Sequence, residues 1–244
     1  MSGHSHAKKV KHQKDATDQK RGKIFSKISR IISVAVQEKG PDPSINYTLK
    51  TAIEKAREFN MPQENIDRAV KRGTGETKDA ALEEFSLEAY GPGGIAIIIE
   101  GITDNKNRTL LEIKQVLNQS GGKLVDAGSV KWLFERKGRL TLDLNSQEES
   151  FKNREKLEML AIEFGAEDFS WYDGNLDIYT KIEDLDKIKR GIEENGAKVE
   201  SASLDWVAKE EIQVDKGIKE ICQKLFELLD ESDSVQEIYS NLKI

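Results

Sequence analysis

Between Ser2 and Arg30 stand nine basic side chains, Lys8, Lys9, Lys11, Lys14, Lys20, Arg21, Lys23, Lys27 and Arg30, opposed only by Asp15 and Asp18. The segment carries a charge near +7 in a chain whose net charge is −6, so everything after it sums to about −13. Ammonium and guanidinium groups at this density neutralise phosphates well. Each phosphate neutralised releases condensed counterions, which gives a strong and salt-dependent hold on polyanions. His12 lies among these cations and is grouped with them as a nucleic-acid contact. Such contacts go mainly to the phosphate backbone, so they position a protein without reading bases.

A second candidate is Asn105, Asn107 and Arg108, which precede a helical pattern that follows an apolar run. A helix N-terminus presents free N–H groups and favours anions, and Arg108 can add a bidentate phosphate contact. The competing reading is a helix cap with a surface ion pair. Gly91-Pro92-Gly93-Gly94 is read as a hairpin turn, since no Gly-Lys-Ser/Thr follows to make a phosphate loop.

His4, His6 and His12 raise the question of metal. With Met1 removed, Ser2-Gly3-His4 offers a square-planar nitrogen set for Cu(II) or Ni(II), but any free X-X-His terminus does so, and no metal is assigned. Trp132, Trp171 and Trp206 have rings able to stack on bases. Trp132 alternates with Val130 and Phe134, and Trp206 sits beside Leu204; both patterns point to core, and Trp171 is left open. Cys222, the only cysteine, lies on an apolar helical stripe as a core residue, and excludes an intramolecular disulfide and a Cys-based zinc site. There is no His-Glu-x-x-His, nucleophile elbow, Walker loop or dinucleotide fingerprint. Acidic pairs such as Glu193/Glu194 fall on exposed helix faces. The reading is of a non-enzyme with no catalytic residue and no cofactor.

The elements that must position these residues follow from periodicity. Ile24/Phe25, Ile28, Ile31/Ile32 and Ala35/Val36 form one helical stripe, which sets Lys20, Lys23, Lys27 and Arg30 on or beside the opposite face. Gly40-Pro41-Asp42-Pro43 ends that helix and predicts Asp42 as N-cap of the next, with Ile45, Leu49, Ala52/Ile53, Ala56 and Phe59 as its stripe. Asn60-Met61-Pro62 opens a third helix, which Gly73-Thr74-Gly75 ends. From Leu82 the period changes to two, and Ile95–Glu100 reads as a central strand. Val130, Trp132 and Phe134 are expected on another strand.

Residues 138–207 read as β-α-β-β-α-β, with a hairpin of Asp168–Tyr172 and Leu176–Thr180 about Asp173-Gly174-Asn175. Residues 209–244 supply one further helix and the strand Val235–Tyr239. The expected fold is α+β in three domains. Residues 1–75 form a basic tail plus a three-helix domain, 80–136 with 209–244 an α/β sandwich domain, and 138–207 a ferredoxin-like domain inserted into it.

At 244 residues with 37% hydrophobic and 34% charged content, the chain suits several small domains. Its longest apolar run, Ile95–Ile99, is too short to cross a bilayer. The N-terminus holds no apolar stretch of signal-peptide type, and a cytoplasmic, membrane-free setting is expected. The oligomeric state is not readable, with a monomer favoured.

Several motifs also carry a resemblance. Gly3-His4-Ser5, Lys20-Arg21-Gly22-Lys23-Ile24-Phe25, Asn60-Met61-Pro62 and Gly73-Thr74-Gly75 are similar to the YebC/PmpR family, bacterial relative of the mitochondrial translational activator of cytochrome c oxidase subunit one. Tyr90-Gly91-Pro92-Gly93-Gly94, Thr103-Asp104-Asn105-Lys106-Asn107-Arg108-Thr109 and Phe134-Glu135-Arg136-Lys137-Gly138 continue the match. Where members commonly have Lys-Trp after Gly-His-Ser, this chain has His6-Ala7, and so lacks any base contact that Trp makes in relatives. The resemblance implies the same three-domain layout. It also implies regulation of gene expression, either as a transcriptional regulator binding promoter DNA or as a ribosome-associated factor binding ribosomal RNA and relieving stalls at proline-rich stretches. A protein-interaction adaptor with acidic domains on a basic partner is the reading from a different class.

Overall fold

A computed structural model describes residues 18–77 and 79–243, with side chains from Arg21 onward. The first of its two compact units runs to Ser129 and resumes over Asp215–Ile238. It begins with α1 (Asp18–Lys39), α2 (Tyr47–Glu58) and α3 (Gln63–Gly73). Ile28, Ile32 and Ala35 of α1 meet Leu49, Ala52 and Ala56 of α2 and Ile66 and Ala69 of α3 in one apolar cluster. The predicted stripes thus reach a common core. Gly73 lets α3 lie close against α1, since a Cβ there would lie 2.5 Å from the Ser33 carbonyl oxygen and 2.6 Å from the Val36 Cβ.

The cap of α2 is Asn46, not Asp42. Its Oδ1 accepts from Leu49 N at 3.0 Å, while its amide donates to the carbonyls of Ala35 at 2.7 Å and Gly40 at 2.8 Å. One side chain therefore starts α2 and satisfies carbonyls at the end of α1. Asp42 builds the preceding turn, and hydrogen bonds from Ser44 hold its carboxyl below the usual range. Ile45 falls in that turn and is exposed.

β1 (Glu83–Tyr90) and β2 (Ala96–Thr103) form an antiparallel hairpin, α4 (Lys106–Gln119) follows, and β3 (Lys123–Val125) pairs with β1. Ile95–Ile99 is wholly buried, as a central strand should be. Ile31 and Val34 of α1 cluster with Leu82 and Ile102, so α1 has a second packed face.

The other unit holds Val130–Val214 and the end of the chain from Tyr239. Its elements are β4 (Phe134–Asp143), α5 (Arg154–Glu163), β5 (Asp168–Tyr172), β6 (Asn175–Thr180), α6 (Leu185–Glu194) and β7 (Ser201–Ala208). The strand order β5-β6-β4-β7, with antiparallel pairs throughout, is that of the expected ferredoxin-like unit. Asp173 (φ 46°) and Gly174 (φ 80°) make the left-handed turn that the β5–β6 hairpin requires. Leu140, Leu142, Leu176 and Ile178 pack beneath Leu157, Leu160, Ile188 and Ile192 of the two helices. At alternate positions, buried Arg139 bridges Asp177 at 3.2 Å and Asp205 at 3.0 Å.

Lys131–Leu133, expected within a strand, is a 3-10 turn, and β4 begins only at Phe134. The chain ends with α7 (Lys216–Asp230) and β8 (Val235–Ser240), and β8 completes the first sheet in the order β3-β1-β2-β8. Seven α-helices and two four-stranded sheets among the described residues make this an α+β protein. Among those residues no helix is long and apolar enough to cross a membrane.

Candidate nucleic-acid interface

Lys8, Lys9, Lys11, His12 and Lys14 lie outside the described residues. Lys20 is in the first turn of α1, and Arg21, in the same turn, is exposed to solvent. The next three cations behave differently. Lys27, expected on a solvent face, is 5% exposed; its ammonium donates to the Asp230 carboxylate at 2.6 Å and to the Asp230 carbonyl at 2.9 Å. A cation on the last carbonyl of α7 also complements that helix's dipole. Lys23 pairs with Glu231, and the Ser26 hydroxyl donates to Asp233 at 2.9 Å. Arg30 donates to the Ile102 carbonyl at 3.2 Å. Burial is the largest influence on its guanidinium and lowers its pKa; Asp104 and Asp233 act in the opposite sense, and Arg72 and Arg108 add to the lowering.

The opposite face of α1 is therefore not a free basic surface but a seam against the acidic end of α7. The physical reason is that α1 is apolar around more than one face: Val34 stands off the main stripe, and its burial turns Lys27 and Arg30 inward with it. Val34 beside Ala35 and Val36 is the sequence signal for this second face.

Arg108 reaches the same seam. It lines a cleft of about 740 Å³ together with Lys23, Arg30, Glu112, Glu231 and Asp233. Three cations and three carboxylates alternate there, so the cleft is not strongly electropositive. Arg108 bonds Asp104 at 2.6 Å and lies 3.8 Å from Glu112. Asn105 caps α4, its Oδ1 accepting from Arg108 N at 3.0 Å. The Thr103 and Thr109 hydroxyls bond each other at 2.8 Å beneath it. These contacts favour the capping and ion-pair reading of Asn105 and Arg108; Asn107 is exposed beside them.

Gly91-Pro92-Gly93-Gly94 forms a tight turn closed by Gly91 N donating to the Ile95 carbonyl at 2.8 Å, with Gly93 and Gly94 at positive φ. Cys222 is buried, and burial raises its thiol pKa, which keeps it protonated and unreactive. Among the described residues no group of three or more His, Cys, Asp or Glu is arranged to hold a metal.

The tryptophans separate into three roles. Trp171 packs on the core of its unit and donates Nε1 to Glu158 at 2.6 Å, with Arg154 4.8 Å from its ring centroid. Trp206, expected as core, is half-buried, with the Lys131 ammonium 4.7 Å and the Arg136 guanidinium 5.0 Å from its ring centroid. Trp132, also expected as core, is 64% exposed, because the 3-10 turn breaks the alternation that would have buried it. Sequence reasoning weighed these rings singly and missed the cations gathered with them.

Residues 5–76 match the family model described as the TACO1/YebC protein N-terminal domain, and residues 82–242 match that of the TACO1/YebC second and third domain. The chain belongs to the TACO1/YebC family. Among its TACO1/YebC relatives, a probable transcriptional regulatory protein of Halothermothrix orenii is 45% identical over 100% of this chain and 96% of its own length. A protein of the same description from Caldanaerobacter subterraneus is 43% identical over 100% of this chain and 99% of its own. The crystal structure of a conserved hypothetical protein, Aq1575, from Aquifex aeolicus superposes with a TM-score of 0.86 at 40% identity, covering 96% of this chain and 95% of that one.

Proposed function

We propose that this TACO1/YebC protein is a non-catalytic regulator of gene expression that holds nucleic acid through the cations preceding Gly22: Lys8, Lys9, Lys11, Lys14, Lys20 and Arg21. The observation that carries this reading is the charge asymmetry of the sequence, a dense cationic start on a chain of net charge −6. Lys23, Lys27 and Arg30 leave the contact set, because the protein's own carboxylates and carbonyls already engage them. The description of its relatives as probable transcriptional regulatory proteins supports promoter DNA as the target.

Ribosomal RNA is the second reading, and one observation favours it. A DNA operator reader presents a helix whose side chains reach base edges. The exposed residues of α3 are Gln63, Glu64, Asp67, Arg68 and Lys71, a mixed surface ill suited to a groove. Sedimentation of cell lysate through a sucrose gradient separates the two. Co-migration with ribosomal particles, lost at high salt, is the outcome for ribosomal RNA; confinement to the top fractions, with retention on duplex DNA, is the outcome for promoter binding. Retention on neither nucleic acid at low salt contradicts both and leaves the adaptor reading.

A further inference from the structure

We infer that Glu231 and Asp233 form a self-inhibitory latch: they stand where backbone phosphates of a nucleic acid would sit, and they keep Lys23 and Arg30 out of the contact set until they swing aside. The inference rests on the reading of this protein as a nucleic-acid binder and deepens it, since it states what restrains two of the cations on α1.

All the residues concerned belong to one compact unit, and Lys23, Arg30, Arg108, Glu231 and Asp233 line one cleft of it. The backbone of the latch is fixed at both ends. On one side the buried Lys27 ammonium donates to the Asp230 carboxylate at 2.6 Å and to the Asp230 carbonyl at 2.9 Å. On the other, Ile102 N donates to the Ser234 carbonyl at 2.8 Å. Between these anchors Glu231 pairs with Lys23, and Asp233 accepts from the Ser26 hydroxyl at 2.9 Å. The two carboxylates can therefore turn away by side-chain rotation alone, with the backbone in place. The buried Lys27–Asp230 bond already ties α7 to α1, so the exposed pairs add little cohesion. What they add is negative charge over the cleft.

Magnitudes decide that a phosphodiester can displace them. The Lys23 and Glu231 side chains are 34% and 66% exposed, and an ion pair so open to water is worth little. A nucleic-acid phosphate competes for the same ammonium with an advantage that an internal carboxylate lacks, the release of condensed counterions. Arg30 offers more. Its guanidinium has five N–H donors in a fork that matches phosphate, and one of its nitrogens donates to the Ile102 carbonyl at 3.2 Å. Burial lowers the Arg30 pKa, while Asp104 and Asp233 counter that lowering. With Asp233 turned away, a half-buried cation is left facing the cleft, where an anion is held more strongly than in open water. Lys27 stays with Asp230 throughout.

The test is a fluorescence anisotropy titration of the full chain with a labelled DNA duplex and with labelled oligouridylate, repeated over a series of salt concentrations. Wild type is compared with Glu231→Gln/Asp233→Asn and with the same pair carrying Lys23→Gln in addition. A control, Glu220→Gln/Glu227→Gln, removes the same charge from exposed positions of α7, and circular dichroism confirms folding. With both cations engaged, the slope of log affinity against log salt steepens by roughly 1.8 on the duplex or roughly 1.4 on the single strand. Adding Lys23→Gln halves that steepening, and the control keeps the wild-type slope. Should the double variant fold poorly, Glu231→Gln alone releases Lys23 and steepens the duplex slope by roughly 0.9. An unchanged slope in the latch variants overturns the inference while leaving the N-terminal phosphate contacts standing. So does an equal steepening in the control, or a steepening that Lys23→Gln leaves intact. No binding of either probe by wild type or variants defeats the underlying reading, and this inference with it.

Discussion

Asn46 answers three backbone groups with one amide, donating to Ala35 and Gly40 and accepting from Leu49. Asn46→Ala removes the cap of α2 and the amide that donates to the Ala35 and Gly40 carbonyls, and is expected to cost about 2–4 kcal/mol in a urea unfolding experiment. The sequence pattern pointed to Asp42 as the cap, and Asn46 holds that place instead. Spacing cannot decide between them, because the deciding partners are carbonyls of another helix whose position only the fold sets. Lys27 teaches the same lesson with a charge. Lys27→Ala abandons the Asp230 carboxylate in a part-buried site and is expected to destabilise by about 3–5 kcal/mol, without altering nucleic-acid affinity per folded molecule. Arg21→Gln is the converse: unchanged unfolding midpoint, weaker binding. The two variants measured side by side, by denaturation and by nucleic-acid titration, separate structural cations from contact cations.

At the scale of elements, periodicity was most informative where an element buries one pattern. The unbroken run Ile95–Ile99 became the buried entry and first half of β2, and the turn at Asp173-Gly174 became a hairpin between strands close to those expected. It misled where an element has two packed faces or where alternation is short. α1 buries Ile28 and Ile32 on one side and Val34 on another, so the face opposite its main stripe was wrongly read as solvent. Val130, Trp132 and Phe134 alternate over too few residues to tell a strand from a 3-10 turn. β8 meets the β2 edge so closely that Gly101 is obligatory: a Cβ there would collide with the Ser234 carbonyl and the Phe85 ring, while Ile102 N donates to that carbonyl at 2.8 Å. Gly101→Ala is therefore expected to lower stability by about 3 kcal/mol or more. A denaturation midpoint equal to wild type would show that β8 can shift outward without loss.

Over the whole molecule, charge separation is the feature that composition made visible and that no single element explains. The described part of α1 spends Lys23 and Lys27 on Glu231 and Asp230 and turns Arg30 to the Ile102 carbonyl, so the case for phosphate binding narrows to six cations before Gly22. Those six set a quantitative expectation. Neutralising Z phosphates gives a slope of log affinity against log salt of roughly −0.9Z on duplex DNA and −0.7Z on single strands. The measurement that tests the central claim is that slope, for wild type and for a variant with Lys8, Lys9, Lys11, Lys14, Lys20 and Arg21 all changed to Gln. The account predicts that the variant's slope falls by roughly five on duplex DNA, or roughly four on single-stranded RNA, if all six cations engage phosphates. An identical slope in the two proteins would contradict it.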